Sequence, residues 1–499
     1  MRKIPATMAT QHPDNANAPY WDLSEPFINV HKETNEAYVC LHDLGASEYM
    51  WDWEGKHADA SVIDRLFLNY YDYFKDRQLG KDKFLTFRVP NIWEEKGYNL
   101  LQAMTVLLSS EDFARDLKIK SRPLFEVILP MTERAEQIIH MQKLFEKLAK
   151  FKSEDFTPDR KANSPYLELI PLVESVKSQV GIKNLLSQYI KLHEKHFKFK
   201  PKYIRAFLAC SDSALSSGFL AGVLGNKLAL ARLGEFQRQS GITIYPIAGP
   251  GSLPFRGGLK PSTIERFIKE YPGLKTVTIQ SSFRYDHPKK EVVAAIKKLE
   301  LALPSSEFAM FDKNTQKVLL EIIDIATGFY EKSINKLIPD MQVFFKAVPR
   351  RRERHQHIGL LAYSRSLGAQ VLPRAITFTG GFYSVGLPPE FIGLGRTMAA
   401  LNVQQIKVLT SVYPSLKADV QIAGGYLNID NLKKLAETNK AWLDIIKDVT
   451  AVQDFFDIKL GPKITSEKGH LALSSKLLKK DTDKSKLINE MALLRSSLG

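Results

Sequence analysis

Cysteine is nearly absent from this 499-residue chain: Cys40 and Cys210 are the only two. Two thiols cannot staple a chain of this length, so a disulfide framework is excluded and a reducing compartment, the cytoplasm, is expected. No apolar run approaches the roughly 18 residues of a membrane span, and Met1 to Pro13 carries no apolar leader segment. Also missing are a Gly-Lys-Ser/Thr phosphate loop, zinc-ligand spacings, a helix-turn-helix, an RNA-binding signature, an internal repeat and a long low-complexity linker. These absences argue against P-loop NTPases, membrane proteins, disulfide scaffolds and the common nucleic-acid-binding modules.

What is present is ordinary globular material, 44% hydrophobic and 25% charged, with 70 Lys and Arg against 55 Asp and Glu, a net charge of +15. A positive excess points to an anionic partner: nucleic acid, anionic lipid or small acidic substrates. The basic runs Lys191–Lys202, Arg350–Arg354 and Lys476–Lys486 read as solvated surface, because no aromatic or groove-binding pattern accompanies them. The arginines that carry more information are isolated ones near the ends of apolar runs.

Eight short runs have strand composition followed by turn chemistry: Ala37–His42, Phe84–Val89, Phe125–Pro130, Leu167–Leu172, Ile204–Ala209, Ile242–Ile247, Thr276–Gln280 and Ala375–Thr379, with Phe344–Val348 as a ninth candidate. Helical patterns intervene over Thr132–Lys150, Ser175–Lys198, Ser213–Gln239 and Ser262–Tyr271. Alternation of this kind predicts an α/β fold, a (β/α)8 barrel of the TIM type elaborated with additional helices. The barrel strands are expected within about residues 37–380. The surplus length falls in helical stretches, about 286–346 and 388–499. The chain therefore reads as one barrel-centred unit, with its C-terminal helices available for packing or oligomer formation.

Barrel enzymes place their chemistry at the C-terminal ends of the strands. Glu174 follows the fourth of these runs and Asp212 the fifth. Neighbouring strands lie about 4.8 Å apart, so the two carboxylates can share an ion, and hard oxygen donors favour Mg²⁺ or Mn²⁺. Helix N-capping is the bland alternative for both. The segment Gly249–Gly258 can bring backbone N–H groups to an oxyanion with Arg256 as a bidentate clamp, or be a plain surface turn. Arg88 lies inside one run and Arg374 directly precedes another. The stretch Trp51–His57 suits an aromatic corner and an active-site wall equally well. His193, His196, His355 and His357 read as helix-face or loop histidines. His12, within Gln11-His-Pro-Asp-Asn15, reads from composition alone as part of a disordered leader.

Taken in order, these segments resemble phosphoenolpyruvate carboxylases, in the shorter archaeal-type form. Ala9-Thr-Gln-His-Pro-Asp-Asn15 is similar to the family's catalytic-histidine segment, Ile170-Pro-Leu-Val-Glu174 and Ser211-Asp212-Ser213 to its two metal-ligand motifs, and Gly249–Gly258 to its glycine-rich loop. Phe87-Arg88, Tyr363-Ser-Arg365-Ser and Leu372-Pro-Arg374-Ala-Ile resemble the segments of three further arginines. The resemblance spans about residues 5–395. It implies a cytoplasmic homotetramer that carboxylates phosphoenolpyruvate with bicarbonate, giving oxaloacetate and phosphate through carboxyphosphate and a metal-stabilised enolate. It implies His12 as base, Arg256, Arg374, Arg365 and Arg88 around the anions, and Glu174 and Asp212 on Mg²⁺ or Mn²⁺. Where the long form has a first loop arginine this chain has Pro250, and where it has a lysine this chain has Leu215. Lys56, Arg205 and Arg284 are candidates to replace those charges, and the glycine-rich loop and Arg350–Arg354 are candidate lids. The rival readings are another divalent-metal barrel lyase acting on a phosphorylated or 2-oxo acid and, further off, a basic nucleic-acid-binding protein.

Overall fold

The computed structural model describes residues 2–156, 166–353, 366–367 and 370–499. Eight parallel strands close into a barrel: β1 (Thr7–Thr10), β2 (Glu48–Asp52), β3 (Phe84–Arg88), β4 (Glu126–Leu129), β5 (Glu168–Val173), β6 (Tyr203–Ala209), β7 (Thr243–Gly249) and β8 (Thr276–Ile279). Each pairs with its sequence neighbours, and β1 closes on β8 through Met8 opposite Thr278. Helices cover the outer faces, so strands such as Glu-Leu-Ile-Pro-Leu-Val in β5 read as nearly continuous apolar runs.

Side chains alternate along each strand, and those pointing inward form layers. On β2 the inward sequence is Glu48, Met50, Asp52. Met8, Met50, Ile128, Ile170, Leu172, Phe207, Ala209 and Ile247 make a dry plug of buried side chains. At the N-terminal end, Arg205 donates to Glu48 at 2.9 and 2.7 Å, to Glu126 at 2.7 Å and to Thr276 Oγ1 at 3.2 Å. Arg2 reaches the same Glu126 at 2.9 Å. The plug therefore separates an ionic floor from the C-terminal rim.

Two of the eight expected strands are helices. Ala37–His42 is the C-terminal part of the helix Glu33–His42, which buries Ala37, Cys40 and Leu41 at helical spacing and stacks Tyr38 on Tyr70 with ring centroids 4.0 Å apart. Ala375–Thr379 opens the helix Ala375–Val385, whose residues from Phe378 to Val385 are all buried, so no polar face betrays its period. Phe344–Val348 coincides with the last turn of the long helix Lys313–Ala347. The strands that replace the first two are β1 and β2. The barrel thus runs from Thr7 to Ile279, not from 37 to 380, and the supposed leader holding His12 emerges from its first strand. The later helices pack back onto the barrel layer: the Tyr330 hydroxyl donates to Leu215 O at 2.8 Å, and the Leu498 N–H donates to Asp14 O at 2.8 Å. No helix among the described residues is long and apolar enough to cross a membrane.

Candidate active site

Six of the seven site residues expected from the sequence meet at the C-terminal rim. They border one cavity of about 760 Å³ lined by His12, Arg88, Glu174, Asp212, Arg256 and Arg374, together with Glu54, Ser211, Gln280, Lys346, Arg350 and Leu498. Arg365, with Tyr363 and Ser364, lies outside the described residues, as do His355 and His357.

Each element delivers its side chain for a local reason. His12 sits two residues past β1, and its Nδ1 lies 2.9 Å from the Thr10 hydroxyl, which fixes the ring. Arg88 ends β3. Its Nε and Nη2 meet the two Asp52 oxygens at 2.9 and 2.8 Å, and Nη1 meets Glu54 at 2.5 Å. Both acids lie on or just after β2, and they hold the Arg88 guanidinium, pKa raised, firmly charged. Glu174 follows β5, buried, with Oε1 3.4 Å from the Met131 N–H. Asp212 sits in the first turn of the helix Ser211–Ser217 that follows β6. Burial, and then the nearby Glu54, push its carboxyl up to about 6 against the opposing pull of Arg88, Arg256 and Arg374.

Arg256 ends the short 3-10 turn Pro254–Arg256 after β7 and is almost fully buried. Nε donates to Ser211 Oγ at 3.0 Å, Nη1 to Asp14 at 3.1 Å and to the carbonyl oxygen of Gly499, and Nη2 to Gln280 at 2.5 Å. The turn that carries it is self-braced. The N–H groups of Gly251, Arg256, Gly257, Gly258 and Leu259 all donate to carbonyls within the segment, so they are not available to cradle an oxyanion as the sequence suggested. The loop's work is to aim Arg256. A Cβ on Gly251 would stand 2.8 Å from the guanidinium carbon, so a larger residue there would have to displace the Arg256 side chain. Arg374 caps the helix Ala375–Val385 in extended geometry, directly after Pro373.

The candidate replacement charges fall elsewhere. Arg205 belongs to the barrel floor. Arg284 is buried against Glu36 at 2.8 Å. Lys56 is buried with Nζ 3.3 Å from Gln11 Oε1 and does not line the cavity. The lid reading of Arg350–Arg354 also changes. Arg351 is tied to Asn15 O at 2.9 Å and to Asn489, and Arg352 to Glu33 at 3.0 Å and Glu36 at 2.5 Å. Of Arg350, Arg351 and Arg352, Arg350 alone is outside those anchors, exposed at the cavity edge, and Arg354 lies outside the described residues. His193 is structural, bonded to Tyr166 and to Phe199 O at 2.8 Å each. Sequence reasoning assigned no role to Asp14, Asp52, Glu54 or Gln280. The only signal for the middle pair was the charged stretch Trp51–His57, which proves to be both corner and wall: Trp51 and Trp53 are buried while Glu54 borders the cavity.

The donor set fits a hard divalent cation. Glu174 and Asp212 follow adjacent strands, and the Asp212 carboxyl, raised by burial first and by Glu54 second, is a charge that a bound cation would favour. Among the described residues no group of three or more His, Cys, Asp or Glu side chains is placed to hold a metal by itself. Two protein carboxylates with the remaining positions left to water and substrate are what Mg²⁺ typically takes.

Fold and cavity together define a (β/α)8 enzyme whose rim sets a carboxylate pair among arginines, an arrangement for small anionic substrates. The family model described as phosphoenolpyruvate carboxylase matches residues 4–499. Curated relatives of that name come from Leuconostoc mesenteroides (52% identical, covering 100% of this chain and 99% of that protein), Oenococcus oeni (49%, 100% and 99%) and Metallosphaera sedula (36%, 100% and 100%). The chain belongs to the phosphoenolpyruvate carboxylase family and is a carboxy-lyase, of the same length class as its archaeal relatives.

Proposed function

We propose that the rim cavity is where this chain joins phosphoenolpyruvate and bicarbonate to give oxaloacetate and phosphate, with the residue roles that follow. The observation that carries the reading is the convergence of His12, Arg88, Glu174, Asp212, Arg256 and Arg374, from six separate elements, on one cavity. Both substrates are anions, and arginine stays charged at any working pH. Arg374 and Arg256 offset the phosphate and carboxylate charge as the two anions approach. Arg256 does so as a fixed charge, its Nε, Nη1 and Nη2 being braced by Ser211, Asp14, Gly499 and Gln280. Arg88, locked to Asp52 and Glu54, shapes the wall on the β2–β3 side. Arg365, carried by its motif alone, completes the set.

A bicarbonate oxygen attacks phosphorus, the enol oxygen leaves, and carboxyphosphate and the enolate of pyruvate result. Carboxyphosphate breaks into CO₂ and phosphate, and the enolate carbon bonds to CO₂. His12 handles the proton at carboxyphosphate, its ring set by Thr10. Glu174 and Asp212 would hold Mg²⁺ or Mn²⁺, which when bound supplies Lewis-acid stabilisation of oxyanion charge. The homotetramer and the cytoplasmic setting implied by the resemblance belong to the same proposal.

The test couples oxaloacetate to malate dehydrogenase and measures phosphate in parallel. The wild-type chain should form oxaloacetate only with bicarbonate present. His12→Asn should keep bicarbonate-dependent phosphate release and lose oxaloacetate. An unchanged oxaloacetate yield would remove His12 from the mechanism.

A further inference from the structure

Glu390 lies in the turn Pro389–Phe391, behind the site and outside the cavity. It is fully buried. Its Oε1 accepts two hydrogen bonds, from the Phe255 N–H at 2.7 Å and from the Tyr383 hydroxyl at 2.6 Å. Phe255 directly precedes Arg256, and Tyr383 lies on the helix that Arg374 caps. One carboxyl oxygen therefore pins together the two elements that carry two of the cavity's arginines. An aromatic stack runs alongside: Phe255 on Phe378 at 5.6 Å and Phe378 on Phe345 at 5.9 Å, with Phe345 itself lining the cavity.

Packing alone does not explain an acid at this position. A buried carboxyl costs free energy that leucine or methionine would not. Glu390 forms no ion pair among the described residues, and its Oε2 has no hydrogen-bond partner there. Burial pushes its pKa up to about 7, with Asp419 adding to the rise. What the acid provides is an acceptor for two donors from different elements. The glycine-rich turn is braced internally, its Arg256 side chain is held by Ser211, Asp14 and Gln280, and Glu390 ties the turn's backbone to the helix of Arg374. A displacement of about 1 Å in a positioning element can cost roughly 10²-fold in rate.

We propose that Glu390 is a positioning residue for the carboxylation, setting Arg256 and Arg374 relative to each other so that the enolate meets CO₂ before it meets a proton. The inference rests on the proposed function. Phosphate is released in either case. The enolate carbon then either bonds to CO₂, giving oxaloacetate, or takes a proton, giving pyruvate.

The readout is the ratio of oxaloacetate to pyruvate per phosphate released, which does not depend on how much protein is folded. Glu390→Gln keeps a carbonyl acceptor for both donors and should hold the wild-type ratio, with kcat within about 3-fold. Glu390→Leu should lower kcat by roughly 10- to 100-fold and shift the ratio toward pyruvate. Tyr383→Phe, the milder change, should shift the ratio in the same direction by less. A Glu390→Leu protein with the wild-type ratio, or, where that variant does not fold, an unchanged ratio in Tyr383→Phe, overturns the proposal. A wild-type chain that forms no oxaloacetate overturns the functional reading instead.

Discussion

The two ends of the barrel use the same residue types for opposite ends. At the floor, Arg205 and Arg2 face Glu48 and Glu126, and the Thr86 hydroxyl bonds the same Glu48. At the rim, Arg88, Arg256 and Arg374 stand with Glu54, Glu174 and Asp212. On β2 a single alternation, Glu48, Met50, Asp52, joins the two. The floor charges bond to one another, with Arg205 and Glu48 wholly inaccessible. The rim charges border about 760 Å³ of cavity, where burial first and Glu54 second lift the Asp212 carboxyl to about 6 against three arginines. A charged residue inside a barrel is therefore no sign of function. A charge facing space, with its neighbours unable to neutralise it fully, is one.

The sharpest way to break this contrast is to remove one charge from each end. Arg205→Met leaves Glu48 and Glu126 buried with too few donors, and such a loss typically costs about 3–5 kcal/mol. Urea unfolding should show that loss, while kcat per folded molecule stays at the wild-type value. A fall in kcat would mean that the floor communicates with the site. Asp212→Asn should do the reverse. It removes a charge whose burial is unfavourable, so stability should hold or rise slightly. Oxaloacetate formation at saturating Mg²⁺ should fall by at least about 10²-fold, roughly 3 kcal/mol. An unaltered metal titration in that variant would count against Asp212 as a ligand.

The limits of the sequence follow the same geometry. The strands β3 to β8 are legible because they are rich in β-branched, aromatic and other apolar residues and almost wholly buried. β1 is only Thr-Met-Ala-Thr, too short to register, and β2 is Glu-Tyr-Met-Trp-Asp, whose floor and rim acids interrupt its apolar character. Losing β2 also hid the roles of Asp52 and Glu54, since a rim residue is recognised only once its strand's direction and end are known. Arg205 looked like a replacement catalytic charge because an arginine beside a strand reads alike at either end. Its place at the third position of β6, two residues before Phe207 of the plug, puts it at the floor. His12 was legible only through the family resemblance, for nothing in its local composition shows that a barrel strand precedes it. Glu174 and Asp212 were placed at the rim by the strong strands they follow, but the choice between ligand and helix cap came from the resemblance.

A smaller effect separates two acids of the floor itself. Arg205 and Arg2 hold the Glu126 carboxyl below its usual range despite its burial. Glu168, at the start of β5 beside it, has no such cover: burial first, then Glu126, push it up to about 8 against Arg2, Lys202 and Arg122. The signs of the linkage differ. A lowered carboxyl contributes stability that is present above its unfolded value and lost as pH falls through its folded value. A raised one contributes stability that is complete below the unfolded value of 4.5 and lost as pH rises through about 8. The unfolding free energy from urea titration should therefore decline from pH 5 to pH 9, the share of Glu168 being about a few kcal/mol at most since it is only partly shielded from water. Glu168→Gln should reduce that decline, the remainder belonging to the other raised carboxyls Glu95, Asp286 and Glu390, and should leave in place the acid limb that Glu126 shares with Glu36. If the decline is the same size in Glu168→Gln as in the wild-type chain, Glu168 carries no uncompensated charge, and the distinction drawn between it and Glu126 fails.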